Sequence, residues 1–265
     1  MARLAWLTDI HLNFISPARR PQFYQSVWAV RPDAVLIGGD IGEADSVQDY
    51  LWELEDSLAM PIYFVLGNHD FYGGSLLSTR ARILDQTARS RYLRWLPPAG
   101  VVALSKTTAL IGHDGWGDGR LGDGPLSQVL LSDFFVIEEL RDLDKLELFH
   151  RLNLLGDEAA EYVRRVLPQA LDSFARVILL THVPPFQESC WHEGRISNPD
   201  FLPHYTCQAL GEALVDLMDG RPDRHLTVLC GHTHSSGFAQ IRPNLAVRTG
   251  VAEYGAPVIQ EVFEV

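Results

Sequence analysis

Short apolar runs rich in β-branched residues alternate along this chain with longer segments of helical period. Runs at residues 4–7, 34–37, 62–66, 177–180 and 226–230 are long enough for a buried strand and too short for a stable helix. Between them, Phe23, Val27 and Val30 share one helical face, and Val47, Leu51, Leu54 and Leu58 recur at three- and four-residue spacing on another. Apolar strands separated by amphipathic helices that can cover them predict βαβ units around a buried sheet. Near the C-terminus the runs 238–241, 245–247 and 258–262 are joined by connections too short for helical crossovers, and predict antiparallel strands.

Residues 112–124 hold six glycines in thirteen positions, which predicts a loop of unusual backbone freedom. The following 125–175 stretch mixes apolar and acidic positions and reads as mostly helical. It is the candidate for a cap over a site, with Phe134 and Phe135 available to the core, a lid or a subunit contact. No internal repeat or linker divides the chain, so residues 1–265 are expected to form a single domain.

Composition narrows the classes. With 46% hydrophobic residues the chain can bury enough apolar surface to offset the entropy of ordering, which excludes disorder. A net charge of −12 argues against broad contact with nucleic acid or an anionic membrane. No run approaches the length of a membrane span, the first residues read as a strand instead of a signal peptide, and three cysteines without CxxC spacing suit reduced thiols. A cytoplasmic location is expected.

The polar residues decide the chemistry, because each of the five apolar runs ends in Asp, Asn or His. The endings are Asp9 and His11, Asp40, Asn68 and His69, His182, and His232 and His234. Ligands of open α/β sheets bind outside the carboxyl ends of the strands, so these five endings should converge on one crevice. Carboxylate, amide and imidazole donors without thiolate suit Mn, Fe or Zn, and a carboxylate such as Asp40 can bridge two ions about 3.5–4 Å apart. No GxSxG or P-loop lysine pattern points to a different nucleophile or phosphate cradle.

Taken together, Asp9-x-His11, Gly39-Asp40-x-x-Glu43, Gly67-Asn68-His69-Asp70, His182 and Gly231-His232-x-His234 resemble the motifs of the calcineurin-like metallophosphoesterases. The resemblance implies an α/β fold, a four-layer αββα sandwich of two mixed β-sheets flanked by helices. It also implies two metals, one held by Asp9, His11, Asp40 and His234, the other by Asp40, Asn68, His182 and His232. Hydrolysis would then proceed by attack of a metal-bridging hydroxide on a phosphomonoester or phosphodiester. His69 resembles the histidine that contacts the phosphate and protonates the leaving oxygen. At Glu43, where the family often has Asp, the carboxylate either accepts a hydrogen bond from His69 or is an ordinary solvated side chain. Asp70 is expected to scaffold its loop.

Substrate contacts are less distinct. Trp116 could stack a base and Arg120 pair with phosphate, or their glycine-rich loop could simply pack on the protein; His192 could approach the metals or lie on an exposed loop. The acidic net charge favours a small anionic ester over DNA or RNA. A nuclease would need a basic groove, for which only Arg80, Arg82, Arg89, Arg91 and Arg94 offer themselves, and a non-catalytic scaffold is the remaining alternative. Neither the substrate nor the oligomeric state is written in these motifs.

Overall fold

The computed structural model describes residues 2–265. Strands β1 (Arg3–Leu7), β2 (Ala34–Gly38), β3 (Ile62–Val65) and β4 (Leu93–Trp95) run parallel, joined in turn by helices α1 (Arg20–Ala29), α2 (Val47–Leu58) and α3 (Leu76–Arg89). The short α4 (Leu96–Ala99) and edge strand β5 (Val102–Ala103) lead into β6 (Thr108–Gly112). The chain continues through α5 (Asp133–Val136), the long α6 (Lys145–Ser173) and β7 (Arg176–Leu180). A small hairpin of β8 (Trp191–His192) and β9 (Arg195–Ile196) precedes α7 (Leu202–Tyr205) and α8 (Gln208–Met218). The last strands are β10 (His225–Cys230), β11 (Gly237–Arg242), β12 (Leu245–Thr249) and β13 (Glu261–Glu264).

Two sheets result, with orders β13-β1-β2-β3-β4 and β11-β12-β10-β7-β6-β5. Both are mixed: β13 is antiparallel to β1, β11 to β12, and β5 to β6, around parallel centres. Alternate side chains of the central strands serve two cores, because successive residues of a strand point to opposite faces. Leu4, Trp6, Leu36, Ile178, Leu180 and Leu229 meet between the sheets. Leu7, Val35 and Ile37 face the outer layer of Val27, Leu51, Leu54 and Ile83. Val177, Leu179 and Val228 face Val163, Leu167, Leu210 and Leu214 of α6 and α8. The chain is therefore a helix–sheet–sheet–helix sandwich, as the sequence motifs implied.

The C-terminal pairing differs from the expected run of antiparallel strands. β11 is antiparallel, but β12 lies parallel to β10 and separates it from β11, which the loop carrying His232 and His234 has carried one strand outward. The expected strand at 258–262 begins only at Glu261 and joins the other sheet, so 250–260 is a strap crossing the sandwich. Strands β4, β5 and β6 went unread in the sequence: the first two have only three and two residues, and β6 runs directly into the glycine-rich segment. Residues 112–119 of that segment are buried, with Gly117 so close to the His204 carbonyl that a Cβ would sit 2.0 Å from it. Gly112, Gly115, Gly117, Gly119 and Gly122 there serve close packing. Residues 125–175 divide in two. Helix α6, started by a capping box between Asp144 and Glu147, packs along α8, whereas Leu131, Ser132 and Asp133 border the cleft described next.

Candidate metal centre

The carboxyl ends of β1, β2, β3, β7 and β10 all open at one edge of the sandwich, and the backbone there is held in an uncommon conformation. Asp9, His11, Asp40, His232 and His234 all have left-handed φ, between 39° and 69°, a region that costs an L-residue energy and tends to mark functional turns. Interlocking backbone bonds hold them so: Asp9 N–H donates to Gly39 O at 3.0 Å and His11 N–H to Asp40 O at 2.9 Å. Glycine is required beside them. A Cβ on Gly67 would lie 2.1 Å from Asp40 Oδ1, and one on Gly231 would lie 1.9 Å from Asp9 Oδ2.

The side chains gather into two groups sharing Asp40. Donor atoms of Asp9, His11, Asp40 and His234 all lie within 4.8 Å of one another, with His11 Nε2 3.2 Å from His234 Nε2 and His234 Nε2 3.5 Å from Asp9 Oδ1. In the second group His182 Nε2 lies 3.4 Å from Asp40 Oδ1 and 3.1 Å from Asn68 Oδ1, and His232 Nδ1 is 3.0 Å from the same amide oxygen. The seven residues expected from the motifs are thus brought together.

Neighbouring groups select which imidazole nitrogen is a lone pair. His182 Nδ1 meets the Gly38 carbonyl at 2.8 Å and His232 Nε2 the His204 carbonyl at 3.2 Å. A carbonyl only accepts, so these nitrogens carry the protons and leave His182 Nε2 and His232 Nδ1 free towards the centre. Burial, opposed by the Asp9 charge, pulls His11 down to about 3, and burial reinforced by His182 holds His232 well below the ordinary histidine range. Asp40 is pushed well up by burial and by the charges of Asp9 and Asp70. Imidazoles crowded against two carboxylates, with His11 Nδ1 lacking any partner among the described residues, form a donor set that fits cations of the Mn, Fe or Zn kind.

A supporting shell holds these groups. Asp70 accepts from the Ile41, Gly42 and Gly67 N–H groups at 2.8–2.9 Å, tying the β2 and β3 loops together as expected. Asp114 accepts from Leu66 N–H and Trp95 Nε1 and pairs with Arg80. Asp133, which the sequence did not single out, accepts from Asn68 Nδ2 at 2.9 Å and from the Tyr72 hydroxyl at 2.6 Å. It lies far along the chain from Asn68, and nothing in the DFFV stretch signals that contact.

Other expected contacts are redirected. Glu43 does not meet His69: its Oε1 accepts from Asn13 at 3.2 Å, and His69 Nδ1 has no partner. The longer glutamate arm has swung to the Asn13 amide. Trp116 is 4% exposed and packs 5.9 Å from the Phe71 ring, so it cannot stack a base. Arg120 is engaged by Asp118 and Asp157, which neutralise it away from any phosphate. His192 does reach the cleft that opens beside the centre, about 280 Å³ in volume, where it joins Asp40, His69, Asp133, Tyr205 and Tyr254. His69 stacks on Tyr72 at 4.2 Å with Nε2 4.0 Å from Asp40 Oδ2, and burial lowers it to about 4. Among the described residues no arginine or lysine lines this cleft. Arg80 is spent on Asp114 and Glu158, Arg82 on the Ala44 carbonyl, and Arg89 on Asp85.

A two-sheet sandwich with an Asp/Asn/His cluster at its strand ends defines a class of phosphoesterase. Residues 2–236 match the calcineurin-like phosphoesterase family, and the chain belongs to it. Solved structures of similar fold include a phosphopantetheinyl hydrolase from Mycobacterium tuberculosis, 13% identical with a TM-score of 0.64 over 95% of this chain and 89% of that one. A dimetal phosphatase from Danio rerio is also 13% identical, with a TM-score of 0.60 over 97% and 89% of the two chains. TT1561 of Thermus thermophilus is 10% identical, with a TM-score of 0.54 over 94% and 89%. No curated protein matches the sequence significantly.

Proposed function

We propose that this member of the family hydrolyses a small phosphomonoester or phosphodiester with two divalent cations, of the Mn, Fe or Zn kind. The observation that carries this reading is the placement of Asp40, whose Oδ2 lies 3.6 Å from His11 Nε2 and whose Oδ1 lies 3.4 Å from His182 Nε2. One carboxylate therefore faces both donor groups. Asp9, His11, Asp40 and His234 would hold one cation, and Asp40, Asn68, His182 and His232 the other. When bound, such a pair activates water for in-line attack and neutralises phosphoryl oxygens.

The chain's own residues supply the rest. His69 presents Nε2 at the rim of the centre; burial disfavours its charged form until a phosphoryl anion binds beside it, whose charge raises its proton affinity and lets it give a proton to the leaving oxygen. Tyr72, stacked on its ring, fixes its orientation. A cleft of about 280 Å³ without a cationic wall, in a chain of net charge −12, favours a small ester over a nucleic-acid strand. No described helix is long and apolar enough to cross a membrane, and three free, buried cysteines support a cytoplasmic setting.

The test is to strip the protein, reload it with Mn, count metal, and follow hydrolysis of p-nitrophenyl phosphate and bis-p-nitrophenyl phosphate. Two metals per chain with turnover of either ester is the expected result. A protein that binds no metal, or binds it and cleaves neither ester, overturns the proposal and favours a scaffold.

A further inference from the structure

The strap 250–260 lies beyond the family match, which ends at residue 236, and it sets an aromatic ring against the centre. Its two ends are pinned together, with Val251 N–H donating to Gln260 Oε1 at 2.9 Å and Gln260 Nε2 donating to Val251 O at 2.7 Å. The enclosed segment carries Tyr254, whose ring centroid is 4.7 Å from His11 and 5.1 Å from His234. Phe14 backs that ring at 4.5 Å. Both are large and neither is buried: Phe14 is 51% and Tyr254 48% exposed. Tyr72, His192 and Tyr205 also line the cleft that Tyr254 borders.

We propose that Tyr254, supported by Phe14, is a specificity-determining residue that stacks a planar aromatic ring in the leaving group of the ester. This rests on the phosphoesterase reading above and names the class of substrate. Two half-exposed rings held at the mouth of a polar centre leave apolar area in water that a flat ring can cover, and stacking tolerates many ring chemistries because every ring offers a π face. A cleft with aromatic walls and no lysine or arginine selects one phosphoryl group attached to an aromatic body, and disfavours a polyanion.

The matched pair of substrates is adenosine 5′-monophosphate and ribose 5-phosphate, since both expel a ribose 5′-alkoxide and differ in the base. The Mn-loaded enzyme should show a KM for the nucleotide about tenfold lower or more, from one stacked base. Tyr254→Ala should erase most of that difference and Tyr254→Phe should keep it. Calorimetric binding of phenylphosphonate against methylphosphonate to the Mn-loaded protein reads the same subsite without turnover, and its phenyl preference should collapse in Tyr254→Ala. Equal KM values for the two ribose esters, or a phenyl preference that survives in Tyr254→Ala, overturns the assignment. A phenyl preference lost in Tyr254→Ala, in a protein that cleaves no ester, would uphold the aromatic subsite and reject the hydrolase reading.

Discussion

Asp133 accepts a hydrogen bond from Asn68 Nδ2 at 2.9 Å, and that contact fixes which face of the Asn68 amide meets the centre. With the NH₂ group turned to Asp133, Oδ1 is left facing His182 and His232 at 3.1 and 3.0 Å. Asp133→Ala leaves only the Tyr72 hydroxyl, which accepts from Nδ2 at 3.2 Å, to orient the amide, and so makes it easier for the amide to flip and present hydrogens to a cation. Loss of such an outer partner typically costs 10–100-fold in metal affinity. Titration of the stripped protein with Mn should show a fall of that size for one of two sites, and Asp133→Asn should fall between the two.

His69 and Asp40 should separate chemistry from assembly. His69→Ala keeps both groups of candidate ligands and should keep two metals per chain while turnover falls about 10²–10⁴-fold, most for esters with poor leaving groups. Asp40→Ala removes the shared carboxylate and should lose metal and activity together. Metal counts beside a leaving-group series distinguish the two variants. Loss of metal in His69→Ala would move that residue from proton donor to ligand support.

Trp116 and Arg120 should behave as structural residues. Trp116→Ala opens a cavity in the core and should cost about 3–5 kcal/mol of stability, read as a drop in Tm. The ratio of KM values for adenosine 5′-monophosphate and ribose 5-phosphate should stay as in the parent protein. Arg120→Ala should leave Asp118 partly unpaired and lower the Tm, with little change in KM for either ester.

Stability of the metal-free protein should fall in acid through His113. Burial, reinforced by the Arg80 charge, lowers this residue to about 4, and its Nδ1 accepts from Gly115 N–H at 3.1 Å. The folded value lies below the unfolded one of about 6.5, so the unfolded chain binds the proton first. The stabilising contribution is complete above pH 6.5 and is lost as pH falls towards 4, to an extent on the order of 3 kcal/mol. His113→Asn places an amide oxygen where Nδ1 stood. Its Tm should fall less steeply than the parent's between pH 7 and 4.5 in the presence of chelator.

How much of this was legible in the sequence depended on the range of the interaction concerned. The five buried strands were readable because a strand covered on both faces must be apolar along its length, and the residues after each one stood out as the polar exceptions. Those exceptions, Asp9, His11, Asp40, Asn68, His182, His232 and His234, share one crevice because parallel strands align their carboxyl ends. Asp70 was readable as scaffolding from its place in the β3 loop, but that two of its three bonds reach Ile41 and Gly42 of the β2 loop was not.

Tertiary structure alone decided what each loop side chain touches. Glu43 could have reached His69, but an Asn13 amide lay within its longer arm. Trp116 and Arg120 sit on a glycine-rich segment that pattern alone reads as open, yet those glycines let the backbone press into the core, burying Trp116 and setting Arg120 against Asp118 and Asp157. Asp133 and Tyr254 reach the centre from distant segments and bear no local signature. Hydrophobic period is a property of neighbouring residues and survives in the sequence; an orienting hydrogen bond or a stacked ring requires two segments to arrive at one place, which only packing of the whole chain specifies.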